Sequence, residues 1–195
     1  MTIPPPVLLI DGRSGTGKTT LAAAVASAMT ASTVIHMDDL YPGWEGLDEG
    51  ARVLVEWILK PFVERRTGEW RRWDWERSER AESHIVPCDR PIIVEGCGAS
   101  SIASRFRADH ALWMDAPADQ REQRLLGRGD GVEWLPGWTV QEDAFLLREQ
   151  PRLGADLIVD ASGRPDDVAT RVLQSLERGA DSGHWSPWLA RRSAP

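Results

Sequence analysis

The residues with the clearest chemical signature run Gly12-Arg13-Ser14-Gly15-Thr16-Gly17-Lys18-Thr19. They fill every fixed position of the pattern Gly-x-x-x-x-Gly-Lys-Thr, and Thr20 continues it. Glycines in such a loop let the backbone turn tightly and aim successive N–H groups into a concavity that fits phosphate oxygens. A helix opening inside the loop adds the partial positive charge of its N-terminus. Lys18 can then reach the β- and γ-phosphates of a nucleoside triphosphate, and the Thr19 hydroxyl can coordinate Mg²⁺. The extra glycine at Gly15 and the small residues Ser14 and Thr16 reduce crowding around the phosphates. The competing reading is a chance glycine-rich turn. Against it stands the context: an apolar run, Val7 to Ile10, precedes the loop, and an Ala/Leu-rich helix follows. Only two lysines occur in the chain, Lys18 and Lys60. High-GC codon usage explains the skew toward arginine, yet retention of Lys18 points to a role that an ammonium fills.

Further acidic and basic residues fall where phosphate chemistry would use them. Asp38 and Asp39 follow a second short strand, at the edge that a parallel sheet places beside the loop. Either could instead cap a turn. Glu95 ends a strand of three β-branched residues, Ile92-Ile93-Val94, expected beside the loop strand. A carboxylate there can hold a water of a Mg²⁺ shell, or it can be a solvated turn residue. Arg121, Arg124 and Arg128 are spaced i, i+3 and i+7, on one helical face. That face reads as an ordinary charged stripe, or as a lid whose hinge is marked by Gly127, Gly129 and Gly131. The segment Trp70-Arg71-Arg72-Trp73-Asp74-Trp75-Glu76-Arg77 is the most unusual. Alternation places Trp73 and Trp75 on one face, as an acceptor wall with Asp74 as hydrogen-bond acceptor, or as a packing flap with arginines stacked on its rings. Tyr41 and Trp44 follow Asp38 closely enough to line the same cavity. His84 reads as an acceptor contact or as a surface histidine.

The elements that must hold these residues alternate between strand and helix. Strands are expected at Val7 to Ile10, Thr33 to His36, Ile92 to Val94, His110 to Met114 and Asp156 to Asp160. Helices are expected at Lys18 to Thr30, Asp48 to Phe62, Ala118 to Leu126, Thr139 to Glu149 and Pro165 to Arg178. Thr139 would cap its helix, with Glu142 at the capping-box position. Residues 67–87 look polar and irregular. The fold class is α/β: a P-loop NTPase three-layer sandwich, with a five-stranded parallel sheet, helices on both faces and a mobile lid. One domain is expected over 1–179, with the lid at about 127–138 and an acceptor flap at about 67–87. Residues 180–195 are expected to form a loosely attached tail.

Bulk properties bound the function classes. A chain of 195 residues suits one domain. Its net charge of -7 gives no global field that attracts nucleic acid or an acidic membrane. Two cysteines, Cys88 and Cys97, make neither a disulfide framework nor a zinc pattern. No leader and no membrane span is expected, which points to a cytoplasmic protein. A GTPase would carry Asn-Lys-x-Asp, but no lysine follows Lys60. A motor or AAA-type ATPase has a larger domain and a strand ending in Asp-Glu, whereas this strand ends in Glu95-Gly96.

With these segments together, the chain resembles the uridine kinase-like group of P-loop kinases. The resemblance rests on Asp11 to Thr20, on Asp38-Asp39-Leu40-Tyr41, on Ile92 to Gly96, and on Asp115 through Arg128. It implies phosphoryl transfer from Mg-ATP to a small-molecule acceptor, with a nucleoside-like hydroxyl expected. In this reading Lys18, Asp38, Arg124 and Arg128 are catalytic. Gly12, Arg13, Ser14, Gly15, Thr16, Gly17, Lys18, Thr19 and Thr20 bind ATP. Asp38, Tyr41, Trp73, Asp74 and Arg121 meet the acceptor, and Thr19 and Glu95 serve the metal. The Trp-rich segment departs from the group: Trp replaces its Tyr and Phe, and Arg71 and Arg72 could mark a phosphorylated or carboxylated acceptor. A nucleoside-monophosphate kinase and an ATP-binding regulator or ATPase without an acceptor stand as alternatives. Oligomeric state stays open.

Overall fold

A computed structural model describes residues 4–127, 129, 132–179, 185 and 187–189. Strand β1 (Val7–Gly12) is buried along its whole length, as an unbroken aliphatic run predicts for a central parallel strand. It pairs with β5 (Ile92–Glu95) on one side and β6 (His110–Asp115) on the other. β2 (Thr33–His36) and β7 (Leu157–Asp160) form the edges. The sheet order is β2-β5-β1-β6-β7, and all four pairings are parallel. The five expected strands are thus all present, and β5 lies beside the loop strand.

Alternate residues of each strand feed two cores, one on each face. Leu8, Ile10, Ile93, Leu112 and Met114 pack with α1 (Lys18–Ser27) and α7 (Pro165–Gly179). Val7, Leu9, Ile35, Ile92 and Val94 pack on the opposite face. There they meet α2 (Leu47–Val53), a π-helical turn (Leu54–Leu59), α3 (Lys60–Val63) and α6 (Leu135–Glu149). Two shorter helices, α4 (Ile102–Arg105) and α5 (Ala118–Leu126), complete the layers.

Three local expectations change. Residues 67–87 are not irregular: β3 (Gly68–Asp74) and β4 (Glu79–Val86) form an antiparallel hairpin. Its polar face hid the period-2 pattern, and a register shift between Arg71 and Trp73 breaks the alternation outright. Helix α6 starts at Leu135 rather than Thr139, with Pro136 in its first turn, where a missing N–H costs nothing. Thr139 is therefore interior, and its hydroxyl donates back to the Leu135 carbonyl at 2.8 Å. The described part of the tail is anchored. Trp185 is buried in the α1–α7 core, and the Thr30 N–H donates to the Trp188 carbonyl.

Candidate active site

The phosphate loop is built by strain that only glycine tolerates. Gly15 and Gly17 have φ of 82° and 89°, and a Cβ on Gly15 would lie 2.5 Å from the Arg121 carbonyl oxygen. Below the loop, Asp11 is fully buried. Its carboxylate accepts N–H bonds from Gly12 (2.7 Å), Ser100 (2.8 Å) and Gly98 (3.2 Å), fixing β1 against the turn after β5. Burial pushes the Asp11 pKa up to about 6, against the pull of those donors and of Lys18. The Lys18 ammonium folds back to donate to the Gly12 carbonyl (2.8 Å) and the Arg13 carbonyl (3.0 Å). Burial alone would lower the Lys18 pKa. The charges of the surrounding acidic groups, Glu95, Asp11 and Glu142 among them, outweigh it and raise the value, so Lys18 stays charged.

Glu95 sits at the C-terminal end of β5, next to the loop strand, as expected. Its Oε1 accepts from the Thr19 hydroxyl at 3.0 Å and pairs with His36 Nδ1 at 2.7 Å. That contact raises the His36 pKa. The same region opens into a cavity of about 340 Å³. Its floor is Ser14, Gly15, Gly17, Lys18, Thr19 and Glu95, and Asp38 lies in its wall. The rest of the wall is aromatic. Tyr41 and Trp44 come from the chain after β2, Trp75 from the hairpin tip, and Trp134 and Trp138 from the start of α6. Trp44 stacks on Trp134 (centroids 5.0 Å, 14° between planes) and contacts Trp75 at 4.7 Å. The Trp75 indole N–H donates to the Asp38 carbonyl at 3.0 Å and ties the hairpin tip to the turn that carries Asp38.

A second cavity, about 240 Å³, lies on the other flank of the loop. Leu21, Met114, Ala161, Pro165 and Val168 give it an apolar lining, and Arg124 closes one side. Gly17 lines both cavities.

No family model matches the chain, and no curated protein matches it in sequence. Solved structures match in three dimensions. A structure described as a possible uridine kinase from Bacillus stearothermophilus has 23% identity and a TM-score of 0.61, covering 82% of this chain and 91% of that one. A sugar kinase from Janibacter sp. HTCC2649 has 19% identity and a TM-score of 0.56, covering 89% and 95%. A shikimate kinase from Acinetobacter baumannii, solved with shikimate, has 17% identity and a TM-score of 0.52, covering 90% and 94%. The fold is that of the P-loop small-molecule kinases. Within this kinase fold, the predicted residues divide into three groups.

Lys18, Thr19, Asp38, Tyr41 and Glu95 converge on the larger cavity, as expected. Arg121 and Arg124 turn toward the phosphate loop but grip its outside. Arg121 donates to the Ser14 carbonyl (3.3 Å), and Arg124 to the carbonyls of Gly15 (3.3 Å), Thr16 (3.4 Å) and Ala161 (2.9 Å). Arg121 is not among the residues lining the larger cavity, because the first turn of α5 packs directly under Gly15. Arg128 lies outside the described residues. Trp73 and Asp74 are also absent from that lining. The register shift turns Trp73 toward Arg80, whose guanidinium sits 5.6 Å from the ring centroid. Asp74 accepts the N–H groups of Glu76 (3.1 Å) and Arg77 (3.0 Å) and so shapes the hairpin turn. Arg71 donates to the Arg80 and Ala81 carbonyls, and Arg72 pairs with Glu82, so both are engaged within the hairpin. His84 stacks on Trp70 at 4.7 Å and contacts Glu82, also within the hairpin.

One residue beside the loop was not legible as such. Glu142, read as a capping-box partner, is buried against the phosphate loop. It accepts from the Ser14 N–H (3.0 Å), the Ser14 hydroxyl (2.7 Å), the Cys97 thiol (3.1 Å) and the Trp138 indole N–H (2.9 Å). The available signal was its i, i+4 relation to Trp138 on a helix that begins earlier than the capping residues indicate. Burial pushes the Cys97 thiol up to about 12, so it serves this network as a neutral donor.

Proposed function

We propose that this protein transfers the terminal phosphoryl group of ATP to a hydroxyl of a small, unphosphorylated acceptor. One observation carries the reading. Asp38 shares a cavity with Lys18, Thr19 and Glu95, and no arginine is among the described residues lining it. The loop amides and Lys18 hold the phosphates. The apolar second cavity, with Arg124 at its side, receives the nucleotide base. The acceptor enters between Asp38 and the aromatic wall. Its hydroxyl proton passes to the Asp38 carboxylate while the oxygen bonds to the γ-phosphorus, and the bond from that phosphorus to the ADP oxygen breaks.

The residues fit a magnesium ion. Thr19 and Glu95 present two oxygens within hydrogen-bond distance of each other. Among the described residues no group of three or more His, Cys, Asp and Glu side chains forms a cage. Two protein oxygens, completed by phosphate and water, match how Mg²⁺ binds in phosphoryl-transfer sites. The ion, when bound, neutralises charge on the β- and γ-phosphates.

The monophosphate-kinase reading needs arginine clamps at the acceptor, and Arg71, Arg72 and Arg80 are engaged within the hairpin and its neighbours. A regulator without an acceptor has no use for a cavity of this size beside the loop. The decisive measurement is ADP release from Mg-ATP across a panel of hydroxyl acceptors and monophosphates, with product identified by mass. Lys18→Met is expected to lower turnover by about 10²-fold or more. Asp38→Asn is expected to lower kcat by about 10²- to 10⁴-fold with ATP affinity retained. Full turnover in Asp38→Asn would remove the base role, and transfer confined to monophosphates would overturn the acceptor class.

A further inference from the structure

We propose that Arg80 is a positioning residue for phosphoryl transfer, clasping the turn that carries Asp38 against the β3–β4 hairpin. The role rests on the phosphotransfer reading and extends it to a residue outside the cavity lining. Asp38 lies in a short 3-10 turn, Met37–Asp39, closed by the Leu40 N–H on the Met37 carbonyl at 2.8 Å. A single turn of this kind holds few hydrogen bonds of its own, and its last carbonyls need partners from elsewhere. Leu40, the next residue, is fully buried, so its carbonyl must find a donor within the protein.

The hairpin supplies the donors. The Trp75 indole N–H donates to the Asp38 carbonyl at 3.0 Å, and one arm of the Arg80 guanidinium donates to the Leu40 carbonyl, also at 3.0 Å. Arg80 is itself held on several sides. Its other arm donates to the Arg71 carbonyl at 3.0 Å, and the Arg71 guanidinium returns bonds of 2.8 Å to the Arg80 and Ala81 carbonyls. These bonds brace the hairpin beside the register shift between Arg71 and Trp73, where its ladder is interrupted. The ring centroids of Trp57 and Trp73 lie 5.7 and 5.6 Å from the guanidinium carbon, within cation–π range. Trp57 belongs to the π-helical turn Leu54–Leu59, so Arg80 joins three parts of the fold.

Packing alone does not call for an arginine there. Burial lowers the Arg80 pKa, the mark of a guanidinium withdrawn from water. An aliphatic side chain would fill the gap between the indoles without that cost, but would donate to neither carbonyl. A lysine would keep the charge but concentrate its donors at one point. The planar fork sets the hairpin and the turn at a fixed spacing. A base must be held close to the attacking hydroxyl, and a shift of about 1 Å is enough to slow transfer steeply.

The test compares Arg80→Met and Arg80→Lys with the native chain, and adds Trp75→Phe, which deletes the other bond to the turn. Thermal melting identifies the variants that are folded. Hydrogen exchange is read by mass spectrometry over residues 38–43 in the presence of Mg-ADP, with residues 18–27 as the internal reference. Arg80→Met is expected to speed exchange over 38–43 about tenfold or more and to leave 18–27 unchanged, with Arg80→Lys falling between Met and native. Turnover is measured with Mg-ATP and whichever hydroxyl acceptor of the panel, water included, releases most ADP. The kcat of Arg80→Met should fall about 10- to 10²-fold with the KM for ATP unchanged, and Arg80→Lys should recover part of the loss. Unchanged exchange over 38–43, or faster exchange spread over the whole chain, overturns the role. So does local loosening with kcat unchanged. If Arg80→Met does not fold, Trp75→Phe decides by the same two readings. Local loosening in Arg80→Met together with full turnover in Asp38→Asn supports the clasp and overturns the base role of Asp38, so the two failures are told apart.

Discussion

At the scale of single residues, the pair His36–Glu95 links the site to pH. The hydrogen bond to Glu95, joined by the charges of Glu95, Asp39 and Asp38, raises the His36 pKa above 6.5. A base whose folded pKa is raised binds its proton more tightly when folded. Its stabilising contribution is complete below 6.5 and is lost as pH rises through the higher folded value. The difference in melting temperature between the native chain and His36→Gln is therefore expected to be largest near about pH 5.5 and to shrink toward about pH 9. A difference that grows with pH would show that His36 is neutral in the folded state. The convergence of Lys18, Thr19, Asp38 and Glu95 on one cavity was legible because motif and position coincide there. Contacts were illegible where a side chain acts across the fold. Nothing local to Asp74 tells whether its oxygens face an acceptor or the N–H groups of Glu76 and Arg77.

At the scale of elements, α6 is coupled to the phosphate loop through Glu142. Gln141 beside it donates to the Trp44 carbonyl, so one helix turn touches the loop and the aromatic wall together. Glu142→Ala strands the N–H groups of Ser14 and Trp138, at about 1–3 kcal/mol each. The expected result is a drop in melting temperature of about 4 °C or more. The loss should fall mainly on phosphate affinity, since Ser14 is a loop residue. Scanning calorimetry with and without Mg-ATP would measure both effects. An unchanged melting temperature would mean that water replaces the carboxylate at no cost. The sheet was readable because five short aliphatic runs alternate with helices. The hairpin was not, because only Trp70 and Val86 among its alternating side chains are both apolar and buried. The start of α6 was obscured because Thr139 and Glu142 imitate a capping box, while the true first turn contains Pro136.

At the scale of the molecule, the two cavities lie on opposite flanks of one loop and meet at Gly17. The core behind that loop extends into the tail, where Trp185 joins the cluster that holds Val25, Met29 and Leu176. Trp185→Ala is expected to cost about 3 kcal/mol of stability, measured by urea unfolding. A loss below about 0.5 kcal/mol would show that the tail is only laid on the surface. The tail was expected to be loosely attached, as chain ends commonly are, with Trp185 and Trp188 packing on the domain or on a partner as the alternative. Its anchoring rests on the buried Trp185 ring and on the Trp188 carbonyl, contacts across the fold that no local pattern announces.

The burial of Lys18 has a consequence for handling the protein. Its side chain is 8% exposed and folded against loop carbonyls, while Lys60 stands open on α3, beside Glu56. The chain has no other lysine. Lys60 is thus the single accessible side-chain amine, far from the phosphate loop in the order of elements. Acylating reagents would attach a dye, a linker or a surface tether there, while the other ammonium stays shielded. The scarcity of lysine leaves the molecule with one exposed side-chain amine for conjugation, beside the α-amine that any chain carries.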